Sequence, residues 1–540
     1  MAVMTETKAR KATTVGLAVV LAIAGLVLLA PAPALAGPEA CRAMATTVVP
    51  ASEIALATTG AKVDSAAWVP ASGGLPDYCR LKGEISPVDP AAPPVLFEVN
   101  LPDVWNGKTV QYGGAGLNGA LVTGLGRLPD QPPTVPVPLD RGYATLGTDA
   151  GHPNAKPDIQ VFALNREALL NHAFGAYKKT HDVAMALIRA RYGRAPSRNY
   201  YFGHSEGGRE ALLVAQRYPA DYDGVVSSAP VHSWTLLQLT GYEQWRALQA
   251  AGPLSPGQLK RLSAAVLEAC DDLDGLRDGV VSQYRGCARR FDPSVVACGK
   301  ASPDGDCLSE AQLALLRRIR APYPLGYAAA NGLTSYPPFG LGGEAQPGGY
   351  MPPLLSSLAV GDVRYFIVRD PQFSAPFDPV AYRARVIELS KLLDATDPDL
   401  SAFRARGGKL IMHENTGDYV QSPESGFAYY DSVISKMGRA ATDGFVRLYV
   451  TPGANHNGSG QLADGAPLPN RIDLLSVLDA WVEGRAAAPQ QLVQTAYAET
   501  APYAPLSSRP MCSYPTYPHY KGAGNPALAD SFDCRPLPGR

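Results

Sequence analysis

A short apolar run, Asn199-Tyr200-Tyr201-Phe202, passes directly into Gly203-His204-Ser205-Glu206-Gly207-Gly208 and then into helical spacing that reaches about Tyr218. Strand, G-x-S-x-G and helix in that order fit few architectures. The pattern is that of a nucleophile elbow, a sharp turn that strains the serine and tolerates only small residues at 203 and 207 while Oγ projects above a sheet. Around it strands and helices alternate. Phe97, Val99 and Leu101 alternate before a turn at Trp105-Asn106-Gly107, and Thr109 to Tyr112 resumes the strand. Gly142 to Gly147 reads as another strand, and His172 to Arg191 has helical apolar spacing. Lys409 to Met412 and Phe445 to Val450 read as strands, and Asn470 to about Glu483 as a helix. This order predicts an α/β protein with a mainly parallel sheet, the α/β-hydrolase arrangement.

Between about His232 and Arg404 the alternation loosens into Pro-, Gly- and Tyr-rich sequence holding four of the eight cysteines, with local helices such as Ser255 to Ala269. Residues 232–404 therefore read as an insertion with an acidic loop, and 37–231 with 405–540 as the catalytic domain. The last 50 residues read as a tail strapped to the surface. A chain that is 46% hydrophobic and 18% charged can bury a large core, and 48 basic against 49 acidic residues leave no basic field for nucleic acid.

The N-terminus carries Lys8, Arg10 and Lys11, an apolar run from about Thr14 to Ala30, and small residues before Gly37. That is the plan of a signal peptide cut after Ala36, so residues 1–36 are expected to be removed on export to periplasm or medium, leaving no stable membrane anchor. Eight cysteines follow: Cys41, Cys79, Cys270, Cys287, Cys298, Cys307, Cys512 and Cys534. Their even number and the absence of a CxxC pair favour disulfides over metal ligands, but counting leaves the pairing open.

A serine hydroxyl needs a base and an acid to orient that base, in the chain order Ser, Asp, His for this architecture. Asp418 follows the strand ending at Met412, and His456 follows the strand ending at Val450. His413 and Glu414 are the rivals in the acid loop, and Asp418 is preferred. Gly113-Gly114-Ala115-Gly116-Leu117-Asn118-Gly119 contains G-x-G-x-x-G, but no acidic residue ends a second strand downstream, so a dinucleotide site is disfavoured. As an oxyanion loop it would contribute the N–H of Gly114, with Gly113 and Gly116 as alternatives, beside that of Glu206. Cys270 to Val280 places Asp271, Asp272, Asp274 and Asp278 within eight residues, an oxygen-rich loop suited to Ca²⁺, against the plainer reading of an acidic surface loop.

Taken together, Leu101-Pro102 with Trp105-Asn106-Gly107, the Gly-rich loop, Thr148-Asp149 with Gly151-His152, and Tyr201 to Arg209 resemble the tannase and feruloyl esterase family. The likeness continues through Asp223-Gly224, Ala229-Pro230, the Cys270 loop, Tyr365 to Pro371, and Arg509 to Pro515 ending at Cys534. The resemblance implies Ser205 as nucleophile, His456 as base and Asp418 as its partner, and it makes the insertion at residues 232–404 a lid domain that carries the calcium loop. It implies structural calcium held by side chains of Asp271, Asp274 and Asp278 and carbonyls of Leu276 and Val280. It also implies disulfides Cys41–Cys79, Cys270–Cys287, Cys298–Cys307 and Cys512–Cys534. The family typically joins a cysteine before the nucleophile to one after the catalytic histidine. Here those places hold His204 and Asn457, so the covalent tie is absent; a hydrogen bond between the two could substitute, but it would stabilise by only about 0.5–1.5 kcal/mol.

The expectation is an exported serine carboxylester hydrolase acting on aromatic esters, either small molecules or plant-polymer esters, whose Tyr- and Phe-rich segment from Tyr323 to Tyr365 could stack on the substrate ring. The rival is a catalytically silent, calcium-stabilised exported binding protein of the same fold.

Overall fold

The computed structural model describes residues 37–154, 158–299, 305–344, 346, 352–374 and 376–538. The expected leader, residues 1–36, lies outside them. Twelve strands form one sheet: β1 (Val48–Val49), β2 (Gly60–Val69), β3 (Tyr78–Ser86), β4 (Val95–Pro102), β5 (Lys108–Tyr112), β6 (Ala144–Thr148), β7 (Arg198–His204), β8 (Gly224–Ser228), β9 (Lys409–Asn415), β10 (Val446–Thr451), β11 (Gln491–Tyr497) and β12 (Pro505–Ser513). Their spatial order is β1-β2-β3-β4-β6-β5-β7-β8-β9-β10-β12-β11. The six strands from β6 to β10 are mutually parallel. β1 to β4 join antiparallel on one side, and β12 and β11 antiparallel on the other.

Alternation along the central strands explains their burial on both faces. Tyr201, Val225 and Met412 point into one core with Leu212 and Phe427, whereas Tyr200, Phe202, Val226 and Ile411 point into the other with Leu475 and Leu478. Strands covered on both sides read as near-continuous apolar runs, as these do. The covering helices are α1 (Ala176–Tyr192), α2 (Glu206–Arg217), α3 (Trp234–Ala251), α4 (Pro256–Cys270), α5 (Pro423–Met437) and α6 (Leu474–Val482), of which α3 and α4 belong to the segment between β8 and β9. α4 starts at a capping box in which Ser255 and Gln258 satisfy each other's backbone N–H groups.

The segment between β8 and β9 packs around two cores, one of Trp234, Leu355 and Phe366 that it shares with Phe162, Leu169 and Tyr419 outside it, and one around Leu262, Leu308 and Leu316. Disulfides Cys270–Cys287 and Cys298–Cys307 brace the second. Cys41–Cys79 and Cys512–Cys534 close loops of the sheet's two wings. The C-terminal stretch is no surface strap: β11 and β12 extend the sheet, with Met511 and Cys512 fully buried. Among the described residues no helix is long and apolar enough to cross a membrane.

Arg209 ties the layers together. Fully buried on α2, it donates to Glu206 Oε1 through Nε (2.8 Å) and Nη2 (2.5 Å). It also donates to the carbonyls of His172, Ala173 and Leu393, the last at the end of the inserted segment. Removing one partner of a buried pair strands the other charge. Arg209→Met is therefore expected to destabilise the protein by about 3–5 kcal/mol, read as a fall in the urea midpoint at unchanged slope.

Candidate active site

The elbow has the geometry that its glycines foretell. Ser205 sits at φ 61°, ψ −119°, between β7 and α2, a strained conformation for a residue with a Cβ. A Cβ on Gly203 would lie 1.9 Å from the carbonyl oxygen of Gly207, so the turn closes only with glycine there. The Ser205 N–H donates to the Ser228 carbonyl on β8 (3.0 Å), and its own carbonyl accepts from Arg209 and Val231 N–H.

Two loops bring the remaining groups to the serine. His456 Nε2 is 2.8 Å from Ser205 Oγ, and His456 Nδ1 is 2.6 Å from Asp418 Oδ2. With the proton on Nδ1 given to the carboxylate, Nε2 is free to accept the serine hydroxyl. Asp418 is fully buried, and its Oδ1 accepts N–H groups of Val420 (2.7 Å) and Gln421 (3.1 Å). The loops are stitched to each other by Gly453 N–H to Thr416 Oγ1 (2.9 Å), Gly417 N–H to the Ala454 carbonyl (2.9 Å), and Asn415 Nδ2 to the His456 carbonyl (3.4 Å).

The rival residues in the acid loop have other work. Burial, reinforced by Asp418 beside it, holds the Glu414 carboxyl well above its usual range. Glu414 accepts from Gln421 Nε2 (2.8 Å), which also reaches Asp418 Oδ2 (3.3 Å). Gln421 is a positioning group that sequence reading missed, because only the turn after β9 brings it back onto the acid. His413 bonds Ser228 Oγ (3.0 Å) and Thr451 Oγ1 (2.7 Å), away from the serine.

Three expectations are corrected. The Gly114 N–H donates to the carboxylate of Glu210 (3.0 Å) and so is not free to hold an oxyanion; Glu210, buried on α2, was not legible as its partner. His204 and Asn457 do not share a hydrogen bond: the Asn457 side chain is exposed, and His204 packs its ring on His456 with centroids 4.9 Å apart. The aromatic residues expected to meet a substrate ring are largely core, since Tyr336, Phe339 and Tyr365 are all buried. Phe339 stacks on Tyr419, the neighbour of Asp418, which seats the inserted segment on the acid loop.

In the acidic loop, Asp271 accepts the N–H groups of Asp278 and Gly279, and Asp278 Oδ2 takes Arg509 Nη2 (2.6 Å). Asp274 Oδ2 is buried without a hydrogen-bond partner. Burial, with the Asp278 charge nearby, pushes the Asp274 carboxyl up to about 7. An orphaned carboxylate oxygen beside a second carboxylate fits a cation, which would relieve both costs. Among the described residues no three Asp, Glu, His or Cys side chains converge as a metal cluster, so such an ion would need backbone carbonyls as well.

An elbow serine, a histidine and a buried carboxylate at the strand ends of a central parallel sheet define the class of α/β-hydrolase-fold ester hydrolases. A family model described as tannase and feruloyl esterase matches residues 79–535, and the chain belongs to that family. It is 37% identical over 524 residues to an uncharacterized esterase of Agrobacterium fabrum, covering 92% of each chain. It is 31% identical to the mono(2-hydroxyethyl) terephthalate hydrolase of Piscinibacter sakaiensis, covering 88% of this chain and 87% of the other. The fold matches a feruloyl esterase B of Aspergillus oryzae with a TM-score of 0.74 at 22% identity, over 92% of this chain and 99% of that one. The protein is a carboxylic ester hydrolase.

Behind the site lies Asp130, whose Oδ2 is 3.5 Å from His413 Nδ1. Burial pushes its carboxyl up to about 7, against the opposing charge of Arg471. The folded protein thus keeps a proton that the unfolded chain releases near 3.8, and stability from this group, complete below that value, is lost as pH rises through 7. Asp130 lies at φ 58°, which asparagine also tolerates. Asp130→Asn is expected to raise the melting temperature by an amount that grows from pH 5 to pH 8, followed by differential scanning fluorimetry.

Proposed function

We propose that this esterase hydrolyses esters of aromatic acids through an acyl-enzyme formed on Ser205. The observation that carries the reading is the unbroken chain from Ser205 Oγ through His456 to Asp418, at 2.8 and 2.6 Å, on a strained elbow. Ser205 Oγ attacks the ester carbonyl while His456 Nε2 takes its proton, and collapse of the tetrahedral intermediate expels the alcohol, which receives that proton. Water then attacks the acyl-enzyme, again deprotonated by His456, and releases the acid and the serine. The developing oxyanion would face the Glu206 N–H in the first turn of α2, where helix N–H groups lack intrahelical partners. The Gly-rich loop would add an amide beyond Gly114, at Ala115 or Gly116. Support for an aromatic acyl group comes from relatives named as feruloyl esterases and as a mono(2-hydroxyethyl) terephthalate hydrolase; small molecules and plant-polymer esters are both in scope.

Four disulfides and the basic-apolar leader support export to an oxidising compartment, the periplasm or the medium. We also place structural Ca²⁺ in the acidic loop, with Asp271, Asp274 and Asp278 and the carbonyls of Leu276 and Val280 as its ligands; the ion would neutralise carboxylates that otherwise repel. Its expected signature is a melting temperature that falls with a chelator and recovers with CaCl₂, and an Asp274→Asn variant that no longer responds. A chelator without effect on the wild type would remove calcium from the account.

The function is tested by assaying methyl ferulate, methyl gallate, mono(2-hydroxyethyl) terephthalate and p-nitrophenyl acetate. At least one aromatic ester should turn over, and Ser205→Ala should lower kcat by about 10³-fold or more. A folded protein that turns over p-nitrophenyl acetate alone would refute the aromatic preference, and one inert to every ester and to a fluorophosphonate would favour a silent binding protein.

A further inference from the structure

A buried polar chain runs behind the triad, and ester hydrolysis as derived above does not use it. Gln494 Nε2 on β11 donates to Thr451 Oγ1 on β10 (2.8 Å), which is 2.7 Å from His413 Nε2 on β9. His413 Nδ1 is 3.0 Å from Ser228 Oγ at the end of β8, and Ser228 Oγ is 3.4 Å from His204 Nδ1 at the end of β7. The chain therefore crosses the C-terminal ends of the central parallel strands and stops at a ring lying against His456.

One set of protons that satisfies these contacts has His413 protonated on Nδ1. In it Nδ1 of His413 donates to Ser228 Oγ. The Thr451 hydroxyl gives its proton to Nε2, and the Ser228 hydroxyl gives its own to His204 Nδ1. His204 is left with its remaining proton on Nε2, a buried atom that has no hydrogen-bond partner. A buried donor left unmatched is a cost that a purely apolar ring would avoid. What the imidazole has in exchange is an anchor through Nδ1, which sets the angle of its ring, 46° from that of His456 at a centroid separation of 4.9 Å.

We propose that His204 is a positioning residue for ester hydrolysis: its anchored ring packs on the face of His456 and keeps that imidazole in line with Ser205 and Asp418. The role rests on the triad reading given above. It also requires His204 to be neutral, because a cation there would oppose the imidazolium that His456 becomes at each step. Burial, with His456 and His413 on either side, holds the His204 ring well below the usual histidine value, which meets that requirement. Among the described residues, the contacts of the His456 ring are to Asp418 from the acid loop, Ser205 from the elbow and the neutral ring of His204, and the carboxylate that orients it is the countercharge it meets there.

The test compares steady-state kinetics of His204→Ala, His204→Leu, His204→Phe and Ser228→Ala on the best aromatic ester, with Ser205→Ala alongside and melting temperatures for all. His204→Ala and His204→Leu should lower kcat at least tenfold with KM within twofold. His204→Phe, which restores a flat ring, should recover most of the loss, and Ser228→Ala, which cuts the anchor, should fall between. If His204→Ala does not fold, the comparison of Leu with Phe decides. Wild-type kcat in the Ala or Leu variant, a change confined to KM, or a Phe variant as slow as the Leu variant would each overturn the role. Full activity in Ser205→Ala would instead bring down the triad reading and this role with it.

Discussion

The site depends on a contact that no side chain can enter. Gly203 and Gly207 approach so closely across the elbow that a single added methyl would overlap a carbonyl, and this closeness turns the chain from β7 into α2 within one residue. Ser205 takes the strain of that turn, and its backbone is held on β8 and on α2 at once. A serine fixed this way has its orientation settled before any ligand arrives.

Everything else at the site is arranged around that fixed point by pairing of polar groups away from water. The acid loop and the histidine loop are laced together by backbone and threonine hydrogen bonds, and Gln421 holds both Asp418 and Glu414. Arg209, one turn beyond the serine, binds carbonyls from the segment before α1 and from the end of the inserted segment. The central sheet and the insertion are thereby locked to the helix that follows Ser205. Buried carboxylates cost stability as charges, and the chain disposes of them by pairing, as at Glu206, or by holding the proton, as at Glu414 and Asp130.

Much of this was legible before any coordinates. The strands around Val99, Val110, Tyr201, Ile411 and Val450 and the helix after Ser205 could be read from periodicity, because each strand carries alternating or consecutive apolar residues and its neighbours are punctuated by glycine. Less visible were the outer strands. β2 and β3 carry charged residues such as Lys62, Glu84 and Arg80 on an exposed face, and β12 opens at Pro505 and is interrupted by Pro510, so their pattern resembles loop. The aromatic residues of the insertion looked available for a substrate, yet the core it shares with Phe162, Leu169 and Tyr419 consumes them, because a segment of that length must bury its apolar surface to fold.

The sequence by itself determined the chemistry: a serine that only an elbow of glycines could carry, a histidine and an aspartate each placed after a strand, and cysteines whose number suits an oxidising compartment. Those are local features, set by what one stretch of backbone can adopt. Only the tertiary structure decided which groups meet. It assigned the Gly114 N–H to Glu210 rather than to an oxyanion, laid His204 on His456 rather than against Asn457, and brought Gln421 back onto Asp418. Each of these contacts joins residues on different strands or loops, and in a buried site the choice of partner follows from which groups must be satisfied once water is gone.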